Sequence, residues 1–282
     1  MRKLGTLLLS GFLSLGLAAC GNSQNAADTS GRSDEGAATE LEVVRIGLTG
    51  ANNDQWEHVQ STLLEEGIDL QLVLFTDWVT PNTSLVDGSL ELNNFQTYGF
   101  LDTFNEQNGQ NLVPIGETMV MHFGVYSDSI TDLADVPVGA QVTLPNDAAN
   151  MGRALLLLQT AGLIEIDPAV GFLPTPGDIT DNPLELTFIE LEAQQLPRSI
   201  VDVDLTLMNA SIAVDGGFNP ERDAIFLEPL MENSPYLNII VARYEDADNE
   251  TFQTVVRHFQ TAEVAAIIAR MFDGSARAVF DY

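Results

Sequence analysis

The sequence predicts an α/β fold with enough strands for two sheets. Three observations carry this. Apolar residues make up 45 % of the 282-residue chain against 18 % charged, enough to bury an ordinary globular core. From Leu41 onward, short β-branched and leucine-rich runs alternate with stretches whose apolar residues recur at helical spacing. The first alternation, strand–helix–strand, has the length of about 30 residues that a βαβ unit of a parallel sheet needs. Two lobes with a cleft between them would place a ligand at the carboxyl ends of the strands.

Taken in order, "LEVVRIGLTG" reads as a short strand closed by glycine. "NNDQWEHVQSTLLEEG" is helical, with Trp56, Val59, Leu63 and Leu64 on one stripe, and "IDLQLVLF" is the next strand. A helix-like stretch leads to "LELNNF", and a further helix runs near Tyr98 to Asn108. "NLVPI" and "TMVMHFGVYS" read as strands. "VGAQVTLP" then opens a second βα unit, whose helix is "LPNDAANMGRALLLLQTAGL". "LTFIEL", "VDLTLMNA", "DAIFLEP" and "YLNIIVAR" are further strands, and the tail "NETFQTVVRHFQTAEVAAIIARMF" reads as two helices meeting near Thr261. No repeat of solenoid length is present.

The first 40 residues have a different texture. Arg2 and Lys3 precede an apolar run from Leu4 to Ala18, and small residues lead into Cys20, the sole cysteine. Residues 1–19 read as a secretory signal, too short and wrongly flanked for a spanning helix. Leu17-Ala18-Ala19-Cys20 resembles a bacterial lipobox, whose cysteine is lipidated and becomes the new N-terminus. A lone cysteine in an exported protein cannot form an internal disulfide, so lipidation of Cys20 accounts for it. Residues 20–40, small and polar, read as a disordered tether.

Charge excludes one class of partner and sharpens one residue. With 11 Lys and Arg against 41 Asp and Glu, the formal net charge is −30. Nucleic acid is a poor partner for such a surface, because phosphate binding requires cations to displace counterions. No catalytic signature is present: there is no G-x-S-x-G, H-E-x-x-H, GxxxxGK[ST] or CxxC. His58, His122 and His258 are far apart, which argues against a histidine metal site, and no cofactor motif stands out. "GLTGANN" after the first strand could bind an anion at a helix start, although a tight turn is the commoner use. Residues 46–152 contain neither Lys nor Arg, and Arg153 then falls in what reads as the first turn of a predicted helix. Asn146 or Asp147 can cap that helix, and Asn150 shares a face with Arg153. A cation near a helix N-terminus opposes the dipole, which favours anions there. Two partners would make sense of it: a ligand carboxylate held bidentately, or a carboxylate of the protein itself.

The segments "FTDWVTPNTSLVDGSLELNNFQ", "PNDAANMGRALLLLQTAGLI", "ELEAQQLPRS" and "SPYLNIIVAR" closely resemble the methionine-binding lipoprotein family, the substrate-binding components of methionine ABC importers. The resemblance spans about 41 to 280, with the segments in the family's order. It implies a two-lobed, periplasmic-binding-protein-like α/β fold with two crossover strands and the ligand in the interlobe cleft. One lobe would comprise 41–124 and 236–282 and the other 125–235, with crossings near "FGVYS" and "SPYLN".

By the same resemblance, Arg153 would grip the α-carboxylate of an amino acid, with Asn150 beside it. Asn209 and Asn238 would hold its backbone groups, and Trp78 and Phe95 would wall its side chain, as suits a thioether. Met119 and Met121 read as packing. Four positions depart from the family: Thr97 stands where a histidine is common, and Phe100, Trp78 and Ile212 stand where a tyrosine is common. The expected ligand is methionine, L or D, with a Met-containing dipeptide or another small apolar amino acid as alternatives. The implied partners are an ABC permease, its ATPase and the membrane that anchors the lipid. The implied location is the extracytoplasmic face. A surface lipoprotein or adhesin that keeps the fold without transport is the competing reading.

Overall fold

The computed structural model describes residues 41–231 and 234–282. The signal segment, Cys20 and the tether lie outside the described residues. In chain order the elements are β1 (Glu42–Thr49), α1 (Asp54–Leu63), β2 (Ile68–Phe75), α2 (Thr80–Val86), β3 (Leu92–Thr97), α3 (Tyr98–Asn108), β4 (Val113–Glu117), β5 (Met119–Met121) and β6 (Phe123–Tyr126). There follow β7 (Gln141–Pro145), α4 (Ala148–Thr160), β8 (Glu165–Ile166), β9 (Ile179–Asp181), β10 (Thr187–Leu191), α5 (Leu196–Ser199), β11 (Leu205–Asn209), α6 (Ala210–Asp215) and α7 (Pro220–Asp223). The chain closes with β12 (Phe226–Leu227), β13 (Asn238–Ala242), α8 (Glu250–Phe259), α9 (Ala262–Met271) and β14 (Ala276–Ala278).

Two five-stranded sheets organise these elements, in the orders β2-β1-β3-β13-β4 and β10-β7-β11-β6-β12. In each, four strands run in one direction and one, flanked on both sides, runs against them. The strand inserted against the parallel set is in both cases one the chain reaches from the other sheet: β6 in the second and the returning β13 in the first. Sheet membership changes between Glu117 and Phe123, and again between Leu227 and Asn238. The fold is two-lobed, with an apolar core on each sheet. No described helix is long and apolar enough to cross a membrane.

The first core shows how the sequence sets the frame. Trp56 of α1, fully buried, packs on Phe259 of α8 at 4.6 Å between ring centroids. Its indole N–H donates to Asn94 Oδ1 at 3.0 Å, and Asn94 donates to the Ile239 carbonyl at 2.8 Å. A buried tryptophan needs such a partner, and here that partner ties α1, β3 and β13 together. Beside it Asn82, Asn93 and Gln96 form a buried amide cluster with bonds of 2.7 to 2.9 Å. This cluster holds the last residues of β3 in place at the mouth of the cleft.

Three expectations need adjusting. "TMVMHFGVYS" is not one strand: the ladder breaks at His122, so that β5 pairs with β14 while β6 joins the second sheet. "DAIFLEP" contributes only Phe226 and Leu227 to a strand. Arg153 is the sixth residue of α4 and lies in its second turn, beyond the strongest reach of the dipole. Of the two candidate caps it is Asp147 that caps α4, accepting the Asn150 N–H at 2.9 Å. In "GLTGANN", Gly50 has φ +87°, which serves the strand-to-helix turn.

Candidate functional site

A hollow lies between the two lobes. All eight candidate ligand contacts read from the sequence line it: Trp78, Phe95, Thr97, Phe100 and Asn238 from the first-sheet side, and Asn150, Arg153 and Asn209 from the second. Gln96, Met121 and Ser211 complete the lining and were not anticipated. Met121 combines two roles, since it is 8 % exposed in the first core and still borders the hollow.

One wall is aromatic. Phe100 stands edge-on to both Trp78 (6.2 Å, 86°) and Phe95 (5.7 Å, 76°), an arrangement aromatic quadrupoles favour. Thr97, at the departure from the family pattern, has a structural duty: its hydroxyl accepts the Phe100 N–H at 3.3 Å and caps α3.

The opposite wall is polar, and its hydrogen bonds run in a fixed sense. Asn150 Nδ2 donates to Asp147 Oδ1 and Oδ2 at 3.0 and 3.1 Å. A carboxylate that also accepts a backbone N–H acts here as acceptor, so the Asn150 amide must present its nitrogen to it. Asn150 Oδ1 then accepts from Asn209 Nδ2 at 2.8 Å. This leaves Asn209 Oδ1 at the end of the relay, buried and without a hydrogen-bond partner. A buried carbonyl oxygen in that state calls for a donor. Burial pushes the Asp147 carboxyl above its usual range, against the opposing pull of the bonds from Asn150.

Arg153 is 3 % exposed and meets both of the partners weighed from its sequence position halfway. It borders the hollow, yet it is paired with a carboxylate of the protein. Nε donates to Glu228 Oε2 at 2.9 Å, Nη2 donates to the same oxygen, and Nη2 also donates to the Met121 carbonyl at 2.8 Å. Those bonds leave Nη1 with no protein acceptor among the described residues. The guanidinium lies over the Tyr236 ring at 4.4 Å and near that of Phe123 at 5.2 Å. Burial, with the neighbouring Glu228 charge and against that of Arg153, pushes the Tyr236 phenol up to about 12.

Asn238, in β13, makes no side-chain hydrogen bond to another described residue, while its carbonyl accepts the Thr118 N–H at 2.9 Å. The hollow therefore offers a guanidinium N–H, an unfilled carbonyl oxygen, a free amide and an aromatic wall. That set matches one carboxylate, one donor-rich group and one apolar side chain on the same small molecule.

A two-lobed fold with two chain crossings and a mixed polar and aromatic cleft defines the periplasmic-binding-protein-like class. Comparison with known proteins narrows it. The model of the NlpA lipoprotein family matches residues 44–280, and the chain belongs to that family. It is 40 % identical over 237 residues to the D-methionine-binding lipoprotein MetQ of Yersinia pestis, covering 83 % of this chain and 87 % of that one. It is 36 % identical over 280 residues to Lipoprotein 28 of Escherichia coli K12, covering 98 % and 96 %. A solved nutrient binding protein from Burkholderia cenocepacia, bound to methionine, is similar with TM-score 0.81 at 38 % identity, covering 84 % of this chain and 100 % of that one.

Proposed function

We propose that this protein binds methionine, of L or D hand, in the interlobe hollow and delivers it to an ABC permease driven by its ATPase. It does so from the extracytoplasmic face, anchored through a lipid on Cys20, and catalyses no reaction. The observation that carries the reading is the unfilled Oδ1 of Asn209, a residue that lines the same hollow as Arg153 and the aromatic side chains. An amino acid supplies the ammonium for the first, the carboxylate for the second and a side chain for the third. Asn238 completes the grip on the backbone groups, and Asn150 orients Asn209. The lobe division into 41–124 with 236–282 and 125–235 belongs to the same reading; sheet membership changes just before the first bound, ahead of Phe123, and across the second, between Leu227 and Asn238.

Phe100 and Thr97 bring no phenol and no ring N–H, so side-chain selectivity rests on shape and dispersion, with thioether–aromatic contacts contributing roughly 0.3–1.5 kcal/mol. Titration calorimetry with L- and D-methionine, together with tryptophan emission, tests the proposal. The chain has two tryptophans, and Trp56 is fully buried away from the hollow, so a ligand-induced change must come from Trp78. Saturable heat with an emission change that disappears in Trp78→Phe is the expected result. Absence of heat with either enantiomer overturns the proposal.

A further inference from the structure

We infer that Glu228 fixes the charge class of the ligand, favouring a zwitterionic amino acid over a simple carboxylate of the same shape. This rests on the site proposed above and adds a residue that does not line the hollow. Arg153 is the one formally charged side chain among the described lining residues. A guanidinium alone there would attract any carboxylate. Glu228, its side chain 14 % exposed, occupies Nε and Nη2 from behind. Its backbone is clamped: the Glu228 N–H donates to the Phe123 carbonyl at 2.8 Å, and its own carbonyl oxygen lies 2.5 Å from His122 Nδ1. Those bonds anchor the backbone from which the carboxylate reaches Arg153.

Arg153 and Glu228 together carry no net charge. A ligand that arrives as a monoanion brings an uncompensated charge into a part-buried site, close to Glu228, and such burial is costly. An amino acid brings its own ammonium, for which Asn209 Oδ1 is unfilled, and Asp147 behind Asn150 adds a field of the same sense. Removing the Glu228 charge leaves Arg153 unbalanced and relieves the penalty on the anion.

The test titrates L-methionine and 4-(methylthio)butanoate, which keeps the thioether and carboxylate but lacks the amine, into the whole protein. The wild type is expected to prefer methionine by about a hundredfold or more, roughly 2.8 kcal/mol. Glu228→Gln is expected to cut that preference at least tenfold, while Glu228→Asp, which keeps the charge, holds it within threefold. Glu228→Gln that unfolds cooperatively yet keeps the wild-type preference overturns the inference alone. If Glu228→Gln does not fold, Glu228→Ser, where water can take the place of the carboxylate, is read by the same criteria, and a wild type that binds both ligands within threefold overturns the inference. Failure of the wild type to bind methionine at all overturns the proposed function, and this inference with it.

Discussion

Replacing Arg153 with alanine perturbs stability and binding for separable reasons. The side chain is 3 % exposed, and its loss strands Glu228, the Met121 carbonyl and the Tyr236 ring face. Breaking a buried ion pair from one side costs about 3–5 kcal/mol, because the remaining charge stays buried without compensation. For a domain of this size that corresponds to a fall of roughly 6–20 °C in Tm. Binding loses the charged partner of the ligand carboxylate, about 2–5 kcal/mol, or roughly thirtyfold to several thousandfold in Kd. Scanning calorimetry reads the first effect, and titration calorimetry well below the lowered Tm reads the second. A double variant, Arg153→Met with Glu228→Met, removes both charges and is expected to regain most of the stability while methionine binding stays weak. Retention of wild-type affinity within threefold by Arg153→Ala, or its recovery in the double variant, would refute the carboxylate assignment.

Three further expectations follow from the same geometry. Asn209→Ala removes the acceptor for the ammonium, worth about 1.5–3 kcal/mol for a bond to a charged group, so calorimetric affinity should fall roughly ten- to 150-fold. Gly152→Ala places a Cβ 2.5 Å from the Phe172 carbonyl oxygen and 3.0 Å from Leu173 Cα, both backbone atoms. It should lower stability by about 1–3 kcal/mol, and an unchanged Tm would mean that the neighbouring segment yields freely. Burial pushes the Glu91 carboxyl up, but bonds from the Arg45 side chain and backbone N–H, with the charges of Arg45 and Arg243, hold it below the usual range. A depressed carboxyl contributes stability that is complete above its unfolded pKa of about 4.3 and lost as pH falls through the folded value. Glu91→Gln should therefore destabilise at neutral pH and flatten the acid limb of urea midpoints measured against pH.

The sequence made the lining of the hollow legible and left its support hidden. All eight candidate contacts border it. Trp78, Phe95, Asn150, Arg153 and Asn238 stand in segments whose order resembles a known family, and Arg153 is set apart by the long cation-free run before it. Glu228, 75 positions from Arg153, is one of 41 acids, and no local pattern distinguishes it. Asp147 reads locally as a helix cap, and only the tertiary contact with Asn209 reveals that its bonds orient a second amide. Met121 reads as core from its apolar neighbours, because periodicity cannot tell a buried side chain from one that faces an internal hollow. The longer elements followed their hydrophobic spacing. α5, α6 and α7 are four to six residues long, too short to show a helical period. The break at His122 escaped notice because apolar residues continue on both sides of it, and the change of partner strand is decided by the distant β14.

That distant strand gives the carboxyl end an unexpected importance. Ala276 to Ala278 are stitched antiparallel to Met119 to Met121, on the very stretch that carries the chain from one lobe to the other. Trimming the tail would strip the only edge partner from β5 among the described residues and loosen the residue whose carbonyl holds Arg153. A reporter or purification tag appended after Tyr282 would hang a few residues from the joint of the molecule.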